Sequence, residues 1–178
     1  MILLEKFTND DFDRLISWID NEEELIQFAG PLFNYPLSHQ QLNNYLIQQK
    51  KSPYRIRLIE TGEIIGRCEL NFENELPRLS RILIGEKHLR NNGIGKLVLY
   101  QMIDLLFTTT TTTHKAVDLS VFDWNHNAIA CYKKIGFTIR PELKSSMLVS
   151  GKNWNAFNMI LSRDNYFAAN KTICTAIA

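Results

Sequence analysis

Hydrophobic positions along the chain change period several times, and each change marks an element. Residues 2–7 read as a strand, after which Phe12, Leu15, Ile16 and Ile19 recur at helical spacing behind the capping-box sequence Thr8-Asn9-Asp10-Asp11. A second helical pattern begins near Glu22. Beyond the Pro- and aromatic-rich stretch Gly30 to Pro36, Ser38 and Gln41 form another capping signature ahead of Leu42, Tyr45 and Leu46. Residues 54–60 and 63–71 then read as a hairpin around Thr61-Gly62, and a third strand covers Leu79 to Gly85. Ile94, Leu97, Val98, Met102, Leu105 and Leu106 share one helical face. The run Thr108 to Thr113 should end that helix, because consecutive β-branched residues resist it, and the run itself reads as a solvated loop.

Val117 to Phe122 form the next strand, Ala128, Cys131, Tyr132 and Ile135 the next helical face, and Gly136 stands where a C-cap is wanted. Residues 137–149 and 154–162 read as a final hairpin around Ser150-Gly151-Lys152, while 163–178 form a tail without a pattern. The expectation is an α+β fold: one domain over 1–178, its core at about 2–162, built on a mixed sheet with helices on both faces.

Charge and composition narrow the partners. Lys plus Arg number 20 against 19 Asp plus Glu, a formal charge of +1. That lacks the basic excess of a nucleic-acid binder. No apolar run approaches a membrane span, and the start turns polar too early for a signal peptide, so a cytoplasmic protein with no membrane partner is expected. Cys68, Cys131 and Cys174 are too scattered for a zinc site or a disulfide framework, so no metal is expected.

The segment Leu89-Arg90-Asn91-Asn92-Gly93-Ile94-Gly95-Lys96 links a strand to the N-terminus of an amphipathic helix. Unpaired amides and the positive end of the helix dipole gather there, and glycine lets backbone approach a phosphate without a Cβ in the way. It is no Walker loop, because Arg90 stands where the first Gly is needed and Leu97 where Ser or Thr is needed. Nor is it a dinucleotide fingerprint, since Val98 occupies the third small-residue position.

Arg90-x-x-Gly93-x-Gly95 resembles the Arg/Gln-x-x-Gly-x-Gly/Ala signature of the GNAT superfamily of N-acetyltransferases. Downstream, the run Asn125 to Phe137, with Ala128, Tyr132 and Gly136, is similar to that family's Asn-x-x-Ala-x-x-x-Tyr-x-x-x-Gly-Phe. The resemblance spans most of residues 2–162 and looks nearest to the bacterial ribosomal-protein N-terminal acetyltransferases. One departure is Lys87, where many members have Pro three residues ahead of the Arg.

The resemblance implies a mostly antiparallel sheet and acetyl-CoA as acyl donor. It implies that the backbone of Ile82, Leu83 and Ile84 pairs with the pantetheine arm and that the amides of Asn91, Asn92, Gly93, Ile94, Gly95 and Lys96 hold the pyrophosphate. Arg90 steadies the loop, and Asn125 contacts coenzyme A near the pantetheine. The partners are then acetyl-CoA and an amine acceptor, with the chain a monomer or homodimer.

A lysine-like amine with a pKa of about 10.4 arrives protonated and must lose a proton before it attacks a thioester. The departing thiolate gains from a proton donor, and a backbone N–H near Leu83 or Ile84 would stabilise the oxyanion. Tyr132 shares an apolar helical face with Ala128, Cys131 and Ile135, which alone reads as a packed core tyrosine, but its match to the second signature makes it the candidate acid. Glu69 is the first choice as base, with Asp118 and His126 behind it; a salt-bridged or solvated Glu69 and a water chain are the alternatives. The acceptor would enter near the N-terminal helices, along Phe33, Tyr35 and Glu22-Glu23-Glu24. These readings give an N-acetyltransferase acting on a primary amine of a small molecule or protein N-terminus. The other class left open is a non-catalytic acyl-CoA sensor of the same fold.

Overall fold

The computed structural model describes residues 1–109 and 114–175. Its chain divides into two compact units, one of Met1–Glu73 and Leu79–Met102, the other of Asn74–Arg78 and the residues from Ile103 onward.

In the first unit the ladder runs β1 (Ile2–Lys6), β2 (Lys51–Leu58), β3 (Ile64–Asn71) and β4 (Arg78–Ile84). β1 pairs antiparallel with β2 and β2 with β3, with a register shift at Ile56/Arg57. β3 is buried along nearly its whole length, as a strand covered on both faces must be. Three helices interrupt the strands: α1 (Phe12–Ser17), α2 (Glu22–Ala29) and α3 (His39–Leu46). Their starts follow the polar signals. The Thr8 amide donates to Asp11 Oδ2 at 3.0 Å, Asn21 Oδ1 accepts from the Glu24 amide at 2.9 Å, and Ser38 Oγ accepts from the Gln41 amide at 3.4 Å. Phe12, Leu15, Leu25, Phe28, Phe33, Leu42 and Tyr45 bury their apolar faces together in one cluster. Phe33 therefore lies in the core, not along an acceptor edge, because its ring packs edge-on against Tyr45 at 5.5 Å. α4 (Ile94–Asp104) follows β4.

In the second unit the ladder runs β5 (Ala116–Phe122), β7 (Lys152–Ser162) and β6 (Thr138–Val149), all antiparallel, with α5 (His126–Ile135) after β5. Arg78, the first residue of β4, pairs in parallel with Asp118 of β5, which makes the pairing mixed. Val117 and Leu119 of β5 face Leu161 and Met159 of β7, and all four are buried. α5 ends where expected, at Gly136 in the left-handed conformation with φ 112°.

Two expectations on this part of the chain change. The helix after β4 changes to a π-helical turn, Leu105–Thr109, which takes in the first two threonines of the run, and Thr108 Oγ1 donates back to the Asp104 carbonyl at 2.6 Å. The rest of the Thr run, 110–113, lies outside the described residues. The unassigned tail contains a helix, α6 (Arg163–Thr175). Its start is capped by Ser162 Oγ, which accepts from the Asn165 amide at 3.2 Å, and Tyr166 anchors it by donating its hydroxyl to Asp104 at 2.8 Å. Residues 176–178 lie outside the described residues. Among the described residues no helix is long and apolar enough to cross a membrane.

Candidate active site

The loop between β4 and α4 has the backbone that its sequence promises. Asn91 and Gly93 adopt left-handed φ values of 64° and 82°, and the Gly93 carbonyl accepts from the amides of Lys96 and Leu97 at 3.0 and 3.3 Å. That geometry places Gly93 at the cap of α4 and directs the first amides of the helix outward, a ready seat for an anion. A Cβ built on Gly93 or Gly95 would meet nothing within 4 Å, so the approach is open. Asn91, Asn92, Gly93 and Lys96 are exposed.

Arg90 holds this loop from behind. Its Nε donates to the Ile84 carbonyl at 2.8 Å and its terminal nitrogen to the Gly85 carbonyl at 3.3 Å. Arg81 has a left-handed φ of 50°, so β4 is irregular just before Ile82–Ile84, the stretch expected to pair with pantetheine. Lys87 sits in a short helical turn, and its ammonium meets Asp20 Oδ2 at 2.6 Å.

A latch not foreseen in the sequence ties the α1–α2 corner to this loop. Gly85 lies beneath the Trp18 indole so closely that a Cβ would fall 2.0 to 2.5 Å from three ring atoms, and Trp18 Nε1 donates to Glu86 Oε1 at 3.1 Å. No periodicity marks such a contact; an isolated Gly at a strand end is its only trace.

Glu69 is fully buried and ion-paired at both oxygens. Oε1 accepts from Arg81, and Oε2 lies 3.4 Å from Arg67. The solvated alternative is thereby removed and the salt-bridged one describes the residue. Burial raises its pKa to about 7, against the pull of Arg81. Arg67 is itself boxed by the rings of Phe7, Tyr45 and Phe28 at 4.6, 4.9 and 5.5 Å, and donates to the Tyr45 hydroxyl at 2.6 Å. Burial and the neighbouring Arg81 lower its pKa to about 9. Neither arginine was singled out from the sequence, where both look like ordinary strand cations.

In the second unit Tyr132 packs edge-on against Phe137 at 6.0 Å. Burial pushes its hydroxyl up to about 12, so the neutral phenol is the resident form at pH 7. Asn125 caps α5, its side-chain oxygen accepting from the Ala128 amide at 3.3 Å. Asp118 is committed elsewhere: Arg78 donates to both its oxygens at 2.7 and 2.8 Å, and Asn158 adds a third bond at 2.9 Å. His126 is exposed in the first turn of α5. Of the acceptor-edge residues, Tyr35 is exposed but donates its hydroxyl to the Asp20 carbonyl at 3.0 Å, and Glu22, Glu23 and Glu24 form the first turn of α2, where acidic residues suit the helix dipole. Among the described residues no His, Cys, Asp and Glu cluster is assembled that would hold a metal ion.

A sequence model of the acetyltransferase (GNAT) family matches residues 13–137. Solved structures of the spermidine N-acetyltransferase SpeG from Vibrio cholerae are similar over nearly the whole chain. The form in complex with CoA and spermine gives a TM-score of 0.77 at 17% identity, over 93% of this chain and 98% of that one. The dodecameric form in an intermediate state gives 0.72 at 17%, over 93% and 95%. At such identities the likeness shows the fold, a mixed sheet of seven strands with helices on both sides, as expected. The kinship with the ribosomal-protein branch finds no support among these matches. With its family model spanning well over half of the sequence, this chain belongs to the acetyltransferase (GNAT) family, enzymes whose acyl donor is acetyl-CoA.

Proposed function

We propose that the protein moves the acetyl group of acetyl-CoA to a primary amine of a small molecule or protein N-terminus by direct attack on the thioester. The observation that carries this reading is the β4–α4 loop, where left-handed Asn91 and Gly93 turn the backbone, Arg90 braces it, and the amides of Asn91 to Lys96 present a positive rim. Pyrophosphate fits that rim through backbone donors and needs no side-chain cation. In this reading Ile82 to Ile84 supply the strand edge for the pantetheine arm, with an amide near Leu83 or Ile84 for the oxyanion, and Asn125 contacts coenzyme A near the pantetheine.

Tyr132, which matches the second signature, serves as acid and gives its phenolic proton to the departing thiolate. Glu69 serves as base. A carboxyl near 7 can take a proton at neutral pH, and because the group is enclosed, the ammonium proton reaches it through water instead of by contact. The test is a coenzyme A release assay across polyamines, aminoglycosides, amino acids and peptides. Turnover on at least one amine is expected; tight acetyl-CoA binding with no turnover on any would overturn the reading in favour of a sensor.

A further inference from the structure

The anion seat between β4 and α4 hangs from a closed ring of chain. Arg90 reaches back to the carbonyls of Ile84 and Gly85, at 2.8 and 3.3 Å, while the amides of Leu89 and Arg90 donate to the Glu86 and Lys87 carbonyls, at 3.0 and 3.2 Å. Asn92, inside the seat, adds a bond from its side-chain amide to the His88 carbonyl at 3.2 Å. The seat therefore follows wherever Gly85 and Glu86 stand.

Two elements fix that pair of residues. From β3, the Ile65 carbonyl accepts from the Gly85 amide at 2.8 Å. From the end of α1, Trp18 covers Gly85 so closely that a Cβ there has no room, and its Nε1 donates to Glu86 Oε1 at 3.1 Å. Trp18 is buried in the cluster that α1, α2 and α3 share, so it cannot yield without moving its neighbours. Glu86 itself has the wrong charge for its place. A carboxylate a few residues from an anion seat repels the anion, and its second oxygen stands 3.9 Å from His88 Nδ1, beyond hydrogen-bond reach. The bond from Trp18 is what gives Glu86 a use there.

We propose that Trp18 is a positioning residue for the acyl donor: by pinning Gly85 and Glu86 it holds the Arg90 ring, and through it the amides of residues 91–96, in place for the pyrophosphate. This role rests on the acetyl-transfer reading, which puts the pyrophosphate on this loop. It makes a side chain of the N-terminal helices part of the donor's support. Backbone donors gain most when they are preorganised, because an amide that must be ordered on binding gives up part of its bond to that ordering. Trp18 touches no part of the donor in this role and acts through Gly85, Glu86 and Arg90.

The test measures coenzyme A binding to the full-length protein by calorimetry, without an amine, and pantetheine binding by NMR titration. Removing a negative charge from beside an anion seat should by itself tighten coenzyme A. Glu86→Leu should instead weaken it by about tenfold, because the indole loses its acceptor. Glu86→Gln removes the same charge but keeps an oxygen for the indole proton, so coenzyme A should bind it at least as tightly as the wild type. Trp18→Phe should weaken coenzyme A by about tenfold, and the double variant Trp18→Phe/Glu86→Leu little further, since one bond is lost in all three. Pantetheine, which has the arm but no phosphate, should bind every variant as it binds the wild type. Glu86 is partly exposed, so its two variants decide the matter even where Trp18→Phe unfolds. Tighter coenzyme A in Glu86→Leu, affinity within about twofold of wild type in a folded Trp18→Phe, or an equal loss for pantetheine would overturn the role. Coenzyme A binding that responds as expected, with no transfer to any amine, would leave the role standing and remove the reaction. Transfer with coenzyme A affinity unmoved in Glu86→Leu would do the reverse.

Discussion

Replacing Gly85 with Ala adds one methyl group, and the structure says where it would go. A Cβ at that position lies 2.0, 2.1 and 2.5 Å from three atoms of the Trp18 indole, well inside any tolerable carbon–carbon approach. Trp18 has little room to retreat, since it is 8% exposed and its Nε1 is held by Glu86. Overpacking of a tight site costs about 1–3 kcal/mol and more where neighbours cannot shift, so Gly85→Ala should lose about 3 kcal/mol. Gly95→Ala provides the opposite sign from the same change. Its Cβ meets nothing within 4 Å, and inside α4 the loss of glycine entropy should gain about 0.5–1 kcal/mol. Urea denaturation of both variants reads the difference. In the double variant Trp18→Leu/Gly85→Ala the two changes should be non-additive by at least about 1 kcal/mol, because the smaller side chain makes space for the methyl. A Gly85→Ala protein within about 0.5 kcal/mol of wild type would show that the indole does not press on this backbone.

Gly95→Glu should abolish acetyl-CoA binding in calorimetry while the ligand-free melting temperature stays within a few degrees, because the added carboxylate faces the anion seat and not the core. Gly93→Glu would confound the same test, since its left-handed φ strains any side chain. Tyr132→Phe should lower the single-turnover rate about tenfold to a thousandfold, roughly 1.4 to 4 kcal/mol, with acetyl-CoA affinity held within a few fold; a wild-type rate would remove the hydroxyl from the mechanism. Glu69 has a folded pKa raised from 4.5 to about 7 by burial, so its contribution to stability is fully present below pH 4.5 and is lost as pH rises through 7. The loss should amount to about 3 kcal/mol in urea midpoints between pH 4.5 and 8, absent in Glu69→Gln, and parallel stability curves for the two proteins would refute it. Activity runs the other way, since a base must be ionised. The rise of kcat/KM through pH 7 should disappear in Glu69→Gln, and an unchanged pH profile would dismiss Glu69 as base.

Local signals and distant ones differ sharply in what they disclose. Asn125, Ser38 and Gly136 act within their own helix ends, and each does what its residue type predicts, because capping depends on neighbours a few residues away. The glycine turn that leads into α4 was legible for the same reason. α6 was missed because its apolar residues Tyr166, Phe167, Ala168 and Ala169 run consecutively, which blurs the helical period, although the cap at Ser162 marked its start. Arg67, Arg81 and Trp18 were invisible as site residues. Their roles arise from strand register and from partners up to 68 positions away, as in the bond from Trp18 to Glu86, and no sequence period records such a meeting. Glu69 was found, yet its surroundings were not, since the same carboxylate would serve as well on a wet strand.

Arg67 has a consequence for how faithfully the first unit assembles. A guanidinium with two nitrogens lacking hydrogen-bond partners is accepted there because rings from three separate places close around it: Phe7 after β1, Phe28 of α2 and Tyr45 of α3. A near-miss arrangement, with either helix shifted by a turn, would still cover aliphatic surface well but would strand a full charge without its aromatic walls. The residue works as a proofreader. In the native arrangement its charge is met by Glu69 and the Tyr45 hydroxyl, and the same charge is what penalises the imitations.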